Sequence, residues 1–441
     1  MSRQLNLNRI PFDPARWPFF YGWFILVAGT LGILCSVPGQ TIGVAAFTEP
    51  LIESLGIDRT ALSLAYGIGT AASALLLTTA GRLYDRIGAR WSMALATSAF
   101  GCVLATMSRL DRIAPALSRS TGLSPFQAVM VTAVAGFFCM RLLGPGMLTM
   151  LPRNMVMKWF SHRRGLANGI MGVFIGLGFS SAPVLFNSLI RAVSWQTAWL
   201  GLGISIGIGA TLFVLVFYRD NPALCGLEPE GGRQPKPGAP AHEAEHHFTL
   251  GQALGTRAYW IYSLGLSMLA LYATAFTFHI ESILGAAGFD ATMAYRIFMP
   301  TAVISVTLGL AGGWISDHVD LRVMLMTLLG GMMLSQLALL INTGWITFAL
   351  AVAGNALAGA MFGVLLGVTW PRFYGFTHLG AISGFQMTMN VFFSAIGPAM
   401  FALSLRFTGS YHAATGACLA VVTLLLALAP RVGRRPIHPL A

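Results

Sequence analysis

The chain has 441 residues, 56% of them hydrophobic and 10% charged, with a formal net charge of +12. Soluble domains carry about 25% charged residues, so a chain with a mean hydropathy of +0.71 has too little polar surface to face water, and it is read as an all-α membrane protein. The positive charge could suggest a nucleic-acid partner, but the basic residues are spread over short loops and form no single patch, so none is expected.

Residues 1–18 hold three arginines, and no small-residue cleavage site follows the first apolar run, so this stretch reads as a retained tail and not a signal peptide. A spanning helix needs about 20 apolar residues. Twelve such runs follow: 19–47, 59–80, 91–107, 127–151, 165–190 and 197–217, then 258–286, 293–315, 323–341, 345–370, 380–405 and 411–430. They divide the chain into a six-helix half at 19–217, a linker at 218–257, a second half at 258–430 and a tail at 431–441. The linker holds "EPEGGRQPKPGAPAHEAEHH", a composition that builds no core. His242, His246 and His247 form one cluster without a second ligand set, so they read as a solvated loop; no metal and no cofactor is expected. Cys35, Cys102, Cys139, Cys225 and Cys418 have no metal or redox spacing and read as small packing residues.

Placing both termini in the cytoplasm puts 19 Lys and Arg in inside segments and 7 in outside loops, with Arg141 inside a span. This is the positive-inside bias of a multi-pass inner-membrane protein. On that side lies "GRLYDRIGARWSM" at 81–93, a charged island between two apolar runs, and "GGWISDHVDLRVM" at 312–324 repeats it. Gly81, Asp85 and Arg90 recur as Gly313, Asp317 and Arg322, all at one constant offset. Gly144, Gly165, Gly169 and Pro183 recur as Gly359, Gly380, Gly384 and Pro398, all at a second, smaller offset; the outer loop at 108–126 is longer in the first half and accounts for the change. The chain is therefore two similar six-helix halves, related as parallel repeats about the membrane normal.

"GRLYDRIGAR" resembles the signature loop of the major facilitator superfamily, G-x-L-x-D-R-x-G-R, through Gly81, Asp85, Arg86, Gly88 and Arg90. The resemblance covers residues 20 to 430. It implies the major facilitator fold, twelve transmembrane helices in two pseudo-symmetric halves. It also implies that Gly81, Asp85, Arg86, Gly88, Arg90, Gly313, Asp317 and Arg322 act as a conformational latch on the cytoplasmic side. The chemistry agrees: a short carboxylate at a helix end can meet a facing helix N-terminus or an arginine. An acidic residue also does nothing for orientation, whereas Arg82 reads as a topology anchor. "RLLGPGM" at 141–147 resembles the family's fourth-helix motif, and "KWFSHRRGLANGIMG" at 158–172 resembles a loop of its monocarboxylate and oxalate/formate-type branch. The eighth helix lacks the cation typical of monocarboxylate carriers, and Gln40 stands where a lysine is expected.

Among residues at depth, Arg141 is the one full charge, about 21 Å from the outer end of the fourth helix, and it is costly there unless it meets a polar cavity or a partner. Gln40, Tyr272, Asn355, Gln386 and Asn390 are uncharged candidates for substrate contact. His279 could carry a coupling proton. No paired carboxylates, nucleophile triad or metal cluster lies at depth, so the chain is not read as an enzyme, and no G-x-x-x-x-G-K-[ST] loop supplies ATP. The reading is a secondary transporter, working as a monomer, for a small solute. A small organic anion such as a carboxylate is favoured, with a proton as candidate coupling ion. A drug exporter is the alternative, and a non-transporting sensor a weaker one.

Overall fold

A computed structural model describes residues 10–231, 247–289, 293 and 296–432. His242 and His246 of the linker cluster lie outside these; the third, His247, accepts the Phe376 N–H through Nδ1 at 3.2 Å. The described residues form helices and no strand.

Eleven of the described helices are long and apolar enough to cross a bilayer. The second of them, Arg59–Met107, has 49 residues and would be about 73 Å long if straight, against a hydrocarbon thickness of about 30 Å. It is interrupted at Gly88, whose φ of +80° and ψ of 173° suit glycine alone. A signature glycine thus breaks it into spans 2 and 3 and restores the count of twelve. Span 1 is Gly22–Gly39, span 4 Pro125–Trp159, span 5 Arg164–Ala192 and span 6 Trp195–Phe217. Spans 7 to 12 are Arg257–Phe278, Phe298–Ser316, Leu321–Ile341, Gly344–Tyr374, Leu379–Thr408 and His412–Arg431.

Several ends differ from the hydropathy reading. Span 4 runs two turns past residue 151, so Arg153 and Lys158 are helical and not loop charges. Span 10 continues past residue 370 and takes in Arg372. The run 258–286 breaks at His279 into Arg257–Phe278 and Ile280–Ala286. The outer loop holds a helix, Leu110–Thr121, that buries Leu110 and Ala114 and leaves its arginines outward. A hydropathy window detects what lipid tolerates, not where helical hydrogen bonding stops, so charged turns at span ends are lost to it.

The chain sorts into two compact units. One gathers Met1–Trp159, Phe174–Arg233 and Ser383–Thr388; the other gathers Phe160–Val173, Gln234–Ile382 and Met389–Ala441. Each unit is thus mainly one sequence half. The start of span 5 is exchanged into the second unit, and a short piece of span 11 into the first.

Inside the first unit, spans 3 and 6 meet backbone to backbone. A Cβ on Gly101 would lie 2.6 Å from the Gly203 carbonyl oxygen and 2.7 Å from the Gly207 nitrogen. Apolar side chains gain little by leaving lipid, so close backbone approach between small residues is what joins such helices. Gly101→Ala should therefore destabilise the protein by about 1–3 kcal/mol, the usual cost of overpacking. Gly201→Ala, where nothing lies within 4 Å of the added carbon, should be neutral. Melting in detergent checks this, and equal midpoints for the two variants would contradict the packing account.

Candidate functional site

The second copy of the charged island is a built contact. Asp317 closes the end of span 8. Its carboxylate accepts the Gly165 N–H at 2.8 Å and the Leu166 N–H at 2.9 Å. These are first-turn groups of span 5, which have no partner within their own helix and carry the positive end of its dipole. Arg372 of span 10 forms an ion pair with Asp317 and donates to the Ser316 carbonyl at 2.6 Å. Asp317 and Arg372 are 5% and 7% exposed. Burial lifts the Asp317 carboxyl above its ordinary value, while Arg372 and the two N–H groups pull the other way. Arg372 and the two N–H groups therefore favour its ionised form.

Glycines make this approach feasible. A Cβ on Gly165 would strike the Gly313 carbonyl oxygen and Ser316 Oγ, and one on Gly313 would strike the Gly165 carbonyl. One turn on, Asn168 donates through Nδ2 to the Gly363 carbonyl of span 10 at 2.7 Å. Its amide fills the space where Gly367 has no side chain. The fully buried Arg164 donates to the Phe160 carbonyl at 2.7 Å and lies over the Phe376 ring at 4.8 Å.

The first unit repeats the plan with span 11. Ser383 is the counterpart of Asn168 at the second repeat offset, and its Oγ accepts from Asn154 Nδ2 of span 4 at 2.7 Å. Thr388 donates to the Ala74 carbonyl of span 2 at 2.7 Å. A Cβ on Gly384 would come within 2.6 Å of the Leu77 carbonyl oxygen. So the start of span 5 lies on spans 8 and 10, and the start of span 11 lies on spans 2 and 4.

Of the other signature residues, Gly81 is buried, Asp85 half-buried and Arg86 exposed, and the half-buried Arg90 guanidinium lies 5.9 Å from the centre of the Trp91 ring. Arg322 does not join Asp317. It donates to the Pro430 carbonyl at 3.1 Å and pairs with Asp320 at 3.2 Å. The start of span 3 is held by Asp220, which accepts the Ala89 N–H at 2.8 Å and pairs with Lys158 at 3.1 Å. Lys158 also lies over the Tyr84 ring at 4.8 Å.

The intramembrane candidates are spread over several settings. Arg141 donates to the Gly39 carbonyl at 3.3 Å and faces the Tyr66 ring at 5.4 Å, next to Gln40, whose amide donates to Ser36 Oγ at 3.0 Å. With span 4 extended, Arg141 sits about 24 Å along a helix of about 51 Å, at its middle. Tyr272 is fully buried and bonded to Ser335 of span 9 at 2.8 Å. His279 meets the Pro398 carbonyl at 3.0 Å through Nε2 and the Tyr411 hydroxyl at 3.4 Å through Nδ1. Asn355 donates to the Ala351 carbonyl of its own helix at 2.9 Å. Asn390 accepts from Ser267 at 3.1 Å. Gln386 is fully buried; it falls in the first unit and Asn390 in the second.

Sequence reading missed Arg372, Asp220, Asn168, Asn154 and Arg153. The apolar positions that continue through "MLPRNMVMKWF", despite Pro152, were the available signal for Arg153 and Asn154. A cavity of about 550 Å³ in the first unit is lined almost wholly by apolar groups such as Leu31, Leu185, Phe186 and Val214, and includes none of the candidates.

A sequence profile described as Major Facilitator Superfamily matches residues 29–398. The oxalate:formate antiporter of Oxalobacter formigenes is 22% identical over 239 residues, which are 54% of this chain and 50% of that protein. An MFS-type transporter of Ophiocordyceps sp. (strain BCC 1869) is 26% identical over 213 residues, 47% of this chain and 42% of that one. The chain thus spans about half the length of the curated relatives it matches. Among solved structures, the proton:xylose symporter XylE bound to 6-bromo-6-deoxy-D-glucose has a TM-score of 0.66 at 15% identity, covering 93% of this chain and 95% of its own. A bacterial homologue of the iron transporter ferroportin in an outward-facing state has 0.66 at 13%, covering 92% and 98%. At these identities the structures show a shared fold.

Asp317→Asn and Arg372→Gln break one buried contact from its two sides. Each should cost about 3 kcal/mol, the scale for orphaning half of a buried pair, and the double variant should cost clearly less than the sum. Melting of the four proteins checks this; strict additivity would show that the two residues act independently.

Proposed function

Because the chain belongs to the Major Facilitator Superfamily, we propose that it is a secondary transporter moving a small organic anion, such as a carboxylate, by alternating access. In this reading it lies in the inner membrane with both termini in the cytoplasm, works as a monomer and has a proton as its candidate coupling ion. The excess of Lys and Arg in the segments assigned to the inside supports that orientation. The observation that carries the reading is the Asp317 contact, a carboxylate of one sequence half holding helix N–H groups of the other. Cap bonds of this kind are worth about 1–2 kcal/mol each. That is enough to hold one state and little enough for ligand binding to release it. Asp85, its counterpart in the first half, has the same latch role in this reading.

Two features support an anion as cargo. Arg141 puts a cation at the middle of span 4, paired with a carbonyl and a ring instead of a carboxylate. The oxalate:formate antiporter is named for small carboxylates. His279, at the end of span 7, bridges the Pro398 carbonyl within span 11 and Tyr411 at the start of span 12, the setting of a residue that ties helices.

The test is exchange in proteoliposomes loaded with unlabelled formate, oxalate or lactate. Labelled oxalate or formate should enter faster against a loaded carboxylate than into vesicles without one. Asp317→Asn should slow entry about tenfold or more while retaining binding, because it biases the state equilibrium and leaves the cargo site intact. Vesicles that exchange no carboxylate but expel a lipophilic cationic dye would overturn the anion reading in favour of drug export.

A further inference from the structure

Among the described residues, Arg153 stands apart from the other buried or half-buried cations. Lys158 has Asp220, Arg164 the Phe160 carbonyl and Arg322 has Asp320. Arg372 has Asp317, and Arg219 donates to the carbonyls of Val216, Tyr218, Ile10 and Phe12. Arg141 has the Gly39 carbonyl. Among the described residues, Arg153 has neither an ion pair nor a hydrogen bond, and its Nε is buried without a partner.

Its neighbours along the helix are buried. Residues 151, 152, 154, 155, 156 and 157 are all buried, while Arg153 keeps part of its surface accessible. It is about 9 Å from the end of span 4 at Trp159. On one side of it, Pro152 and Val156 pack on Gly29 of span 1. On the other, Asn154 bonds Ser383. A guanidinium held there without a counter-charge is costly. Its planar fork matches a carboxylate in two parallel hydrogen bonds. A protein that supplied an Asp or Glu here would fill the position itself.

We propose that Arg153 is the residue that binds the carboxylate of the transported solute. This rests on the carboxylate reading above. Arg141, by contrast, already has a carbonyl and a ring as partners.

The test is a thermal-shift titration of the purified full chain in low-salt zwitterionic buffer, with formate, oxalate and nitrate as probes, on wild type, Arg153→Gln and Arg153→Lys. Formate or oxalate should raise the wild-type midpoint in a saturable way. The half-saturating concentration should rise about 10- to 100-fold in Arg153→Gln, the worth of a charge-assisted pair, and less in Arg153→Lys. With no anion added, Arg153→Gln should melt no lower than wild type, because no protein partner is lost. If nitrate stabilises wild type but not Arg153→Gln, and neither carboxylate binds, the anion site stands and the carboxylate reading falls. The assignment is overturned if Arg153→Gln titrates like wild type, if no anion stabilises wild type, or if the ligand-free Gln variant melts well below it.

Discussion

A helix begins with N–H groups that its own chain cannot satisfy, and at the start of span 5 the Asp317 carboxylate takes two of them. Much of the surrounding sequence follows from that bond. The approach is close, so Gly165 and Gly313 have no side chains to separate the backbones. The carboxylate is buried, and Arg372 enters from span 10 to favour its charged form. The contact extends one turn along the helix, where Asn168 occupies the space left by Gly367. Span 11 repeats the plan against spans 2 and 4 with Ser383, Gly384 and Thr388. The glycine and aspartate spacing of the repeats records this geometry.

In the proposed account, charge placement separates structure from cargo binding. Where a cation has only a structural task, the chain supplies its partner: Asp220 for Lys158, Asp317 for Arg372, four carbonyls for Arg219. Each arrangement removes a buried charge from the energetic account of the empty protein. A transporter of anions needs at least one cation left unneutralised, because an internal carboxylate would compete with the cargo. In the proposed account Arg153 is that cation, and the fold holds it between the helix contacts made by its neighbours at 152, 154 and 156.

The sequence carried the large-scale plan well. Twelve apolar runs and two constant offsets located the spans and the repeat, since both are set by bilayer thickness and by backbone approach. Asp317 was legible for the same reason: an acidic residue at a span end has no orienting task, and its recurrence marked it. Arg372 and Arg153 were not legible, because span ends were drawn where hydropathy falls, whereas helical bonding continues to Tyr374 and Trp159. Asp220 was hidden for another reason. It holds Ala89 from 131 residues away, and nothing local to either residue announces the pair. Tyr272 and Asn355 looked like cavity groups by depth alone. Depth does not give azimuth; the structure adds their partners, Ser335 for the Tyr272 hydroxyl and the Ala351 carbonyl for the Asn355 amide nitrogen.

The central claim is that Asp317 holds the first turn of span 5, and amide hydrogen exchange reads that bond itself. The Gly165 and Leu166 N–H groups have no helical acceptor, so their protection comes from Asp317 alone. In wild type the peptide covering 160–173 should exchange slowly at these two amides. It should exchange fast in Asp317→Asn and stay slow in Asp320→Asn, which removes a neighbouring carboxylate. Protection of Gly165 and Leu166 that persists unchanged in Asp317→Asn would contradict the account.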